Sequence, residues 1–209
     1  MLLIDKPKGI TSFDVIRILR KKLGVKKIGH TGTLDPLASG LLLVAVGEET
    51  KEISKYVGLP KEYEVEALIG ERRETGDMEG EVVEEKAAPK FSMEVIGKVA
   101  RDMVGEHMLP VPKYSAIKRG GEPLYKKARR GEEVEVPIKK MEVRSFKVEH
   151  TIWRNDKNFI KIVMEVSSGS YVRSIVEEFG KRLGYPATTK ELRRTRVGIL
   201  DVKDARVIL

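Results

Sequence analysis

The sequence predicts an α+β fold, a central mixed, mostly antiparallel β-sheet flanked by helices. Three observations carry this. Stretches at 61–70, 142–153 and 159–167 have the alternating or apolar pattern of strands. Helical periodicity is confined to a few separated segments. The order of elements mixes hairpins with occasional helices and does not repeat as βαβ units. The chain has 209 residues, 41% of them hydrophobic, enough to bury a proper core.

Taken in order, "LLID" (2–5) reads as a short strand stopped by Pro7 and Gly9. Ser12 is read as the cap of a helix that carries Phe13, Ile16, Leu19 and Leu23 on one face and ends at Gly24. Its other face holds Arg17, Arg20, Lys21 and Lys22, with Lys26 and Lys27 just beyond. Such a face is either solvated or in contact with phosphates. "GLLLVAVG" (40–47) is an apolar run bounded by glycines, hence a buried strand. "KEYEVEALIG" (61–70) alternates Tyr63, Val65, Ala67 and Ile69 against charges, a strand with one wet face. "GEVVEE" is read as its hairpin partner, after the turn "ETGDMEG". Ser92 caps a helix with Val95, Ile96, Val99 and Met103 inward. Residues 109–131, "LPVPKYSAIKRGGEPLYKKARRG", are too irregular for core and too basic for a plain linker. Two strands follow, and then helical patterns at 171–183 and 188–194.

The 40 Lys and Arg outnumber the 32 Asp and Glu, giving a net charge of +8. That balance suits a polyanionic partner, nucleic acid foremost, although a merely solvated basic surface is the plain alternative. There is no cysteine, so disulfides, thiol nucleophiles and cysteine-ligated zinc are excluded. Charge by position 5 leaves no signal-peptide core, and no apolar run approaches the ~20 residues of a membrane span. A cytoplasmic protein is expected. Two Asn, no Gln and 34% charged residues fit a thermophilic source.

Familiar signatures are missing. There is no P-loop, no G-x-G-x-x-G before a helix and no G-x-S-x-G elbow. His30, His107 and His150 lack metal-ligand spacing. "GHTG" (29–32) matches the G-x-x-G of KH domains, but a KH loop joins two helices and here a buried strand follows. The stretch 29–40 is more informative. Gly29, Gly32 and Gly40 permit positive φ and the close approach of a bulky ligand. Pro36 biases Asp35 towards an extended conformation, which would present one carboxylate at the mouth of a buried strand. The ordinary reading is an Asp that starts a turn. In "SGSYVRSI" (168–175), Arg173 falls in the first turn of a helix and could pair a carboxylate bidentately; a surface Arg is the bland alternative. Tyr63 is either core or a stacking platform for a base.

"GHTGTLDPLASGLL" resembles, over all fourteen residues, the signature of the TruB family of tRNA pseudouridine synthases. "DKPKGITS", "KEYEV", "PKYSAIK", "LYKKARRG" and "GSYVRS" resemble further motifs of that family, in its order and at roughly its spacings, from residue 2 to about 200. The "TLDPLASG" form is similar to the bacterial stand-alone branch. The resemblance implies a pseudouridine synthase fold and an isomerase that turns uridine 55 of the tRNA T-arm into pseudouridine, with no cofactor and no metal. One carboxylate then suffices, because the same group assists cleavage and reattachment. By resemblance that group is Asp35, acting either as nucleophile at C1′ or as base at C2′. Arg173 is implied to pair with Asp35, and Tyr63 to stack on the flipped uracil and serve the late proton transfer at C5. Tyr171 and Leu192 are implied to wall the pocket, His30 to insert into the RNA loop, and Lys51 to support the pocket electrostatically. Lys6 and Pro7 are implied to brace the aspartate loop, and Lys118 to contact the substrate. The implied partner is the tRNA T-arm stem-loop, with no membrane and no obligatory protein partner, the enzyme being a monomer. A guide-RNA-dependent subunit and a non-catalytic tRNA-folding module are the alternatives. Residues 1–209 are read as one catalytic domain with a basic RNA-binding insertion near 109–131. The small C-terminal RNA-binding domain usual in bacterial members is expected to be absent, leaving tRNA affinity and discrimination in doubt.

Overall fold

The computed structural model describes residues 1–207; the last two residues of the domain read from the sequence lie outside the described residues. The chain runs β1 (Leu2–Lys6), α1 (Ser12–Leu23), β2 (Ile28–His30), β3 (Ser39–Val46), a 3-10 turn (Gly47–Glu52), α2 (Ile53–Val57), β4 (Lys61–Ile69), β5 (Glu71–Arg73), β6 (Val82–Glu85), α3 (Met93–Asp102) and β7 (Gly105–Pro110). It continues through β8 (Lys118–Arg119), β9 (Glu122–Pro123), α4 (Leu124–Arg129), β10 (Ile138–Arg154), β11 (Lys157–Val166), α5 (Val172–Leu183), β12 (Ala187–Val197), β13 (Leu200–Asp201), a second 3-10 turn (Val202–Asp204) and β14 (Arg206–Val207). The pairing is mixed and mostly antiparallel, as the sequence predicts.

Two compact units emerge. The first holds Met1–Val65, Val163–Ser168 and the chain from Glu191 onward. Its strands follow the order β14-β1-β3-β12, with β2 also on β3 and β13 on β12. β3 is buried on both faces, which explains its unbroken apolar run. Leu42 and Val44 meet Val15, Ile16 and Leu19 of α1, while Leu41 and Leu43 meet Val197. The α1 cap is Thr11, in a capping box with Asp14, and not Ser12 as expected. The buried face of α1 is Ser12, Val15, Ile16 and Leu19, whereas Phe13 and Leu23 are exposed, Phe13 beneath the Arg20 guanidinium. Burial thus follows positions i, i+3, i+4 and i+7 from Ser12, so Ile16 and Leu19 face inward as expected while Phe13 and Leu23 do not.

The second unit holds Glu66–Ile162 and Gly169–Lys190. β7 pairs with β10, α3 packs on β10 and α5, and Phe146 meets Phe179 with ring centroids 5.0 Å apart. The hairpin strand "VVEE" pairs with β5, beyond Gly70, and not with β4. Ile96 and Ala100 of α3 and Met103 at its C-cap are buried, while Val95 is exposed. Along β4, Glu66 and Leu68 are buried as well as Ala67 and Ile69, so the wet face ends at Glu64. The stretch 109–131 contributes to the core through Leu109, Val111 and Leu124, correcting the reading that it is too irregular to do so. Its basic character is partly neutralised, since Arg130 makes two 2.8 Å hydrogen bonds to Glu122 and one of 2.6 Å to Glu132.

Residues 188–194, read as helical, lie in strand β12, which spans the two units. Thr188 and Thr189 are β-branched and fully buried, and Arg193 and Arg194 pair in parallel with Ser39 and Gly40 of β3. Gly40 carries φ +105°, and a Cβ there would lie 2.2 Å from the Arg194 carbonyl oxygen. Gly40→Ala therefore combines backbone strain with a main-chain collision. A loss of at least about 1–3 kcal/mol is expected from the strain alone, read as a lower urea midpoint.

Candidate active site

The aspartate loop, residues 31–38, joins β2 to β3 in the first unit. Of Gly29, Gly32 and Gly40 only Gly40 takes positive φ, and a Cβ at Gly29 would sit 2.8 Å from Ile53 Cδ1. The loop backbone is tied at successive peptides. The Thr31 N–H donates to Leu43 O at 3.1 Å, and the Gly32 carbonyl accepts from Arg194 Nη2 at 3.1 Å. The Leu34 N–H donates to Ser12 Oγ at 2.8 Å, and that hydroxyl donates back to Leu34 O at 3.1 Å. The Asp35 carbonyl accepts from the Ala38 N–H at 3.1 Å, so Asp35 does start a turn. The Pro36 carbonyl accepts from the Gly9 N–H at 2.8 Å and from Lys6 Nζ at 3.5 Å. Lys6 is fully buried, and its ammonium also donates to the carbonyls of Pro7 and Ile10. Asp35 itself is half-buried. These bonds hold the backbone that carries the Asp35 carboxylate.

The other sequence-predicted residues of the first unit occupy different environments. His30 ends β2, half-buried, with Nδ1 buried and lacking a hydrogen-bond partner. Burial first, and the Arg194 charge second, push its pKa below the usual imidazole value, which favours the neutral ring near pH 7. Tyr63 is buried on β4. Two residues earlier, Lys61 anchors the strand: its ammonium donates to Val57 O and Leu59 O, both at 2.6 Å, and to Ser168 Oγ at 3.0 Å. Burial, then Arg194, lower the Lys61 pKa to about 8. Leu192 is buried on β12. Lys51 is exposed in the 3-10 turn and its charge is spent on Glu48, 2.5 Å away.

In the second unit, Arg173 is the second residue of α5 and is buried. Its Nη1 donates to Thr75 O at 2.7 Å and its Nη2 to Tyr114 O at 3.1 Å, and Asp77 Oδ2 lies 3.5 Å from Nη1. Asp77 is buried too, and its Oδ1 accepts from Thr75 Oγ1 at 2.5 Å and from the Glu79 N–H at 3.1 Å. Gly76, with φ +74°, lets this turn lie against the Arg173 side chain. Asp77 was hidden in the sequence inside a hairpin turn, with no spacing to link it to Arg173. One turn along α5, burial raises the Glu177 carboxyl pKa, opposed by the charges of Arg72 and Arg173. Tyr171 precedes the helix, half-buried, its N–H on Met141 Sδ and its ring 5.9 Å from Lys139 Nζ. Lys118 is exposed on β8. A cavity of about 440 Å³ in this unit is lined by charges of both signs, among them Arg72, Lys86 and Glu177, and by none of the sequence-predicted residues. Among the described residues no His, Cys, Asp or Glu cluster could hold a metal, and no helix is long and apolar enough to cross a membrane.

The fold is similar to that of the protein chain in a Cbf5–Nop10–Gar1 complex, with a TM-score of 0.75 and 26% identity over 99% of this chain and 51% of that one. A protein in an H/ACA ribonucleoprotein bound to a substrate RNA containing 2′-deoxyuridine shares the fold at a TM-score of 0.73 and 23% identity, covering 99% of this chain and 50% of the other. The model for the "TruB family pseudouridylate synthase (N terminal domain)" matches residues 20–172. The tRNA pseudouridine synthase B of Endomicrobium trichonymphae is 41% identical over 98% of this chain and 87% of its own length. That of Thermosipho melanesiensis is 41% identical over 96% and 64%, and that of Oenococcus oeni 40% over 98% and 70%. The chain thus spans about half the length of the solved chains and from 64% to 87% of these relatives. The sheet and helices are those of a pseudouridine synthase. Within that class, the chain belongs to the TruB family of pseudouridylate synthases.

Proposed function

We propose that the chain isomerises uridine to pseudouridine at position 55 in the T-arm of tRNA, as a monomer with no guide RNA and no partner protein. The observation that carries the reading is the aspartate loop: the "GHTGTLDPLASGLL" motif folded so that the peptides on both sides of Asp35 are hydrogen-bonded. The near-40% identity to proteins named tRNA pseudouridine synthase B supports the tRNA substrate over a guided RNA.

The reaction conserves atoms. The N1–C1′ bond breaks, uracil leaves as an anion that delocalises its charge, the ring turns, a C5–C1′ bond forms, the C5 proton departs and N1 takes up one proton, so the product is an isomer of the substrate. Asp35 assists departure and return, either by bonding to C1′ and being displaced when C5 bonds there, or by taking a proton from C2′ and returning it when the C5–C1′ bond forms. Arg173 is proposed to keep Asp35 ionised. Tyr63 stacks on the extruded base and serves the C5 proton. His30, as a neutral ring, replaces stacking lost in the RNA loop, since extruding a base costs a few kcal/mol. Tyr171 and Leu192 wall the pocket. Lys118 and the basic stretch 109–131 bind the RNA backbone, and Lys51 supports the pocket electrostatically.

An isolated T-arm stem-loop tests this. It is expected to release its C5 hydrogen and gain one pseudouridine with the purified chain alone. Inactivity on the stem-loop and on whole tRNA, with activity only after a guide RNA and partner proteins are added, would favour a guided subunit.

A further inference from the structure

We infer that Ser12 and Arg194 are positioning residues for Asp35, fixing its loop from opposite ends of the chain. The inference rests on the proposed role of Asp35.

Ser12 opens α1, yet the capping of that helix is done by Thr11. Ser12 is 2% exposed, and its hydroxyl is left to grip the backbone of the residue before Asp35, accepting from the Leu34 N–H and donating to the Leu34 carbonyl. One small side chain thereby satisfies both polar groups of the residue that precedes the carboxylate. Alanine in its place would leave a buried donor and a buried acceptor unmatched.

Arg194 works from β12. Arg194 is 2% exposed, and its guanidinium has no carboxylate within ion-pair distance among the described residues. Its partners are two carbonyls: Nε donates to Leu41 O at 2.7 Å, and Nη2 to Gly32 O at 3.1 Å. Burying an unpaired cation is costly, and an apolar side chain of similar volume would fill the space more cheaply. What an apolar side chain lacks is a planar fork able to reach both ends of the loop at once. The two carbonyls flank Asp35, three residues before it and six after, so the guanidinium closes the loop. The collision that forbids a side chain at Gly40 involves the backbone of this same Arg194, which keeps β3 and β12 in the one register that lets the fork reach.

The test measures single-turnover pseudouridine formation on tRNA, tRNA affinity and backbone amide exchange for wild type, Ser12→Ala and Arg194→Lys. Each variant is expected to lose about ten- to a hundredfold in single-turnover rate, because small misplacements of a reacting group are costly. The tRNA Kd should stay within twofold. In Ser12→Ala the Leu34 amide should exchange faster while the amides of Leu42 to Val44 keep their protection, a local loosening that general destabilisation does not produce. Folded variants that turn over within twofold of wild type would overturn the inference. A wild-type protein inactive on tRNA counts against the proposed function. In that event the Leu34 amide decides: faster exchange in Ser12→Ala upholds the loop's dependence on Ser12, and unchanged protection refutes it.

Discussion

Asp35→Asn is expected to lower pseudouridine formation by at least about 10⁴-fold, the scale on which removal of an essential nucleophile or base acts. The amide is nearly the size of the carboxylate, and the loop is held by main-chain bonds that do not involve the Asp35 side chain. Fold and RNA surface should therefore survive. The tRNA Kd should change by no more than about threefold, because affinity comes mainly from backbone charge and stacking. The split between lost chemistry and kept binding separates this reading from that of a tRNA-folding module, in which Asp35→Asn would change neither. A D35N protein that still makes pseudouridine would remove Asp35 from the chemistry.

The second large effect is expected at Arg173. Arg173→Lys keeps the charge and loses the fork. A single ammonium cannot hold the carbonyls of Thr75 and Tyr114 and also approach Asp77 as the guanidinium does. Activity should fall on the order of 10²- to 10³-fold, the scale for removing one preorganised electrostatic contact. Arg173→Met should behave worse, because Asp77 is left buried without its cation, at a cost of about 3–5 kcal/mol in a urea melt. Asp77→Asn keeps the hydrogen bond from Thr75 and shifts the cost from stability towards activity. Arg173→Lys with wild-type kcat would show that the guanidinium has no part in the reaction.

Much of this was legible in the sequence, and the failures are instructive. β3 was legible because a strand buried on both faces needs an unbroken apolar run. The single loop acid was legible because glycines and a proline bracket it. β12 was misread as helix because "TTKELRRT" holds good helix formers, whereas its conformation is set by pairing to β3, where Ser39 lies 154 residues before Arg193. Ser12 read as a cap because Ser suits that position, but Thr11 precedes it and took the role. The importance of Arg194 was invisible: it is one Arg among many in a basic chain, and only folding shows that solvent does not reach it. Asp77 was hidden for the same reason, since its partner Arg173 lies at the start of a distant helix.

The most direct measurement is nucleoside mapping of an unmodified tRNA transcript after incubation with the purified chain alone. One pseudouridine at position 55, formed without metal, cofactor, guide or partner, is the predicted result. No pseudouridine under conditions where the chain binds the transcript, or pseudouridine at other positions with 55 untouched, would contradict the account.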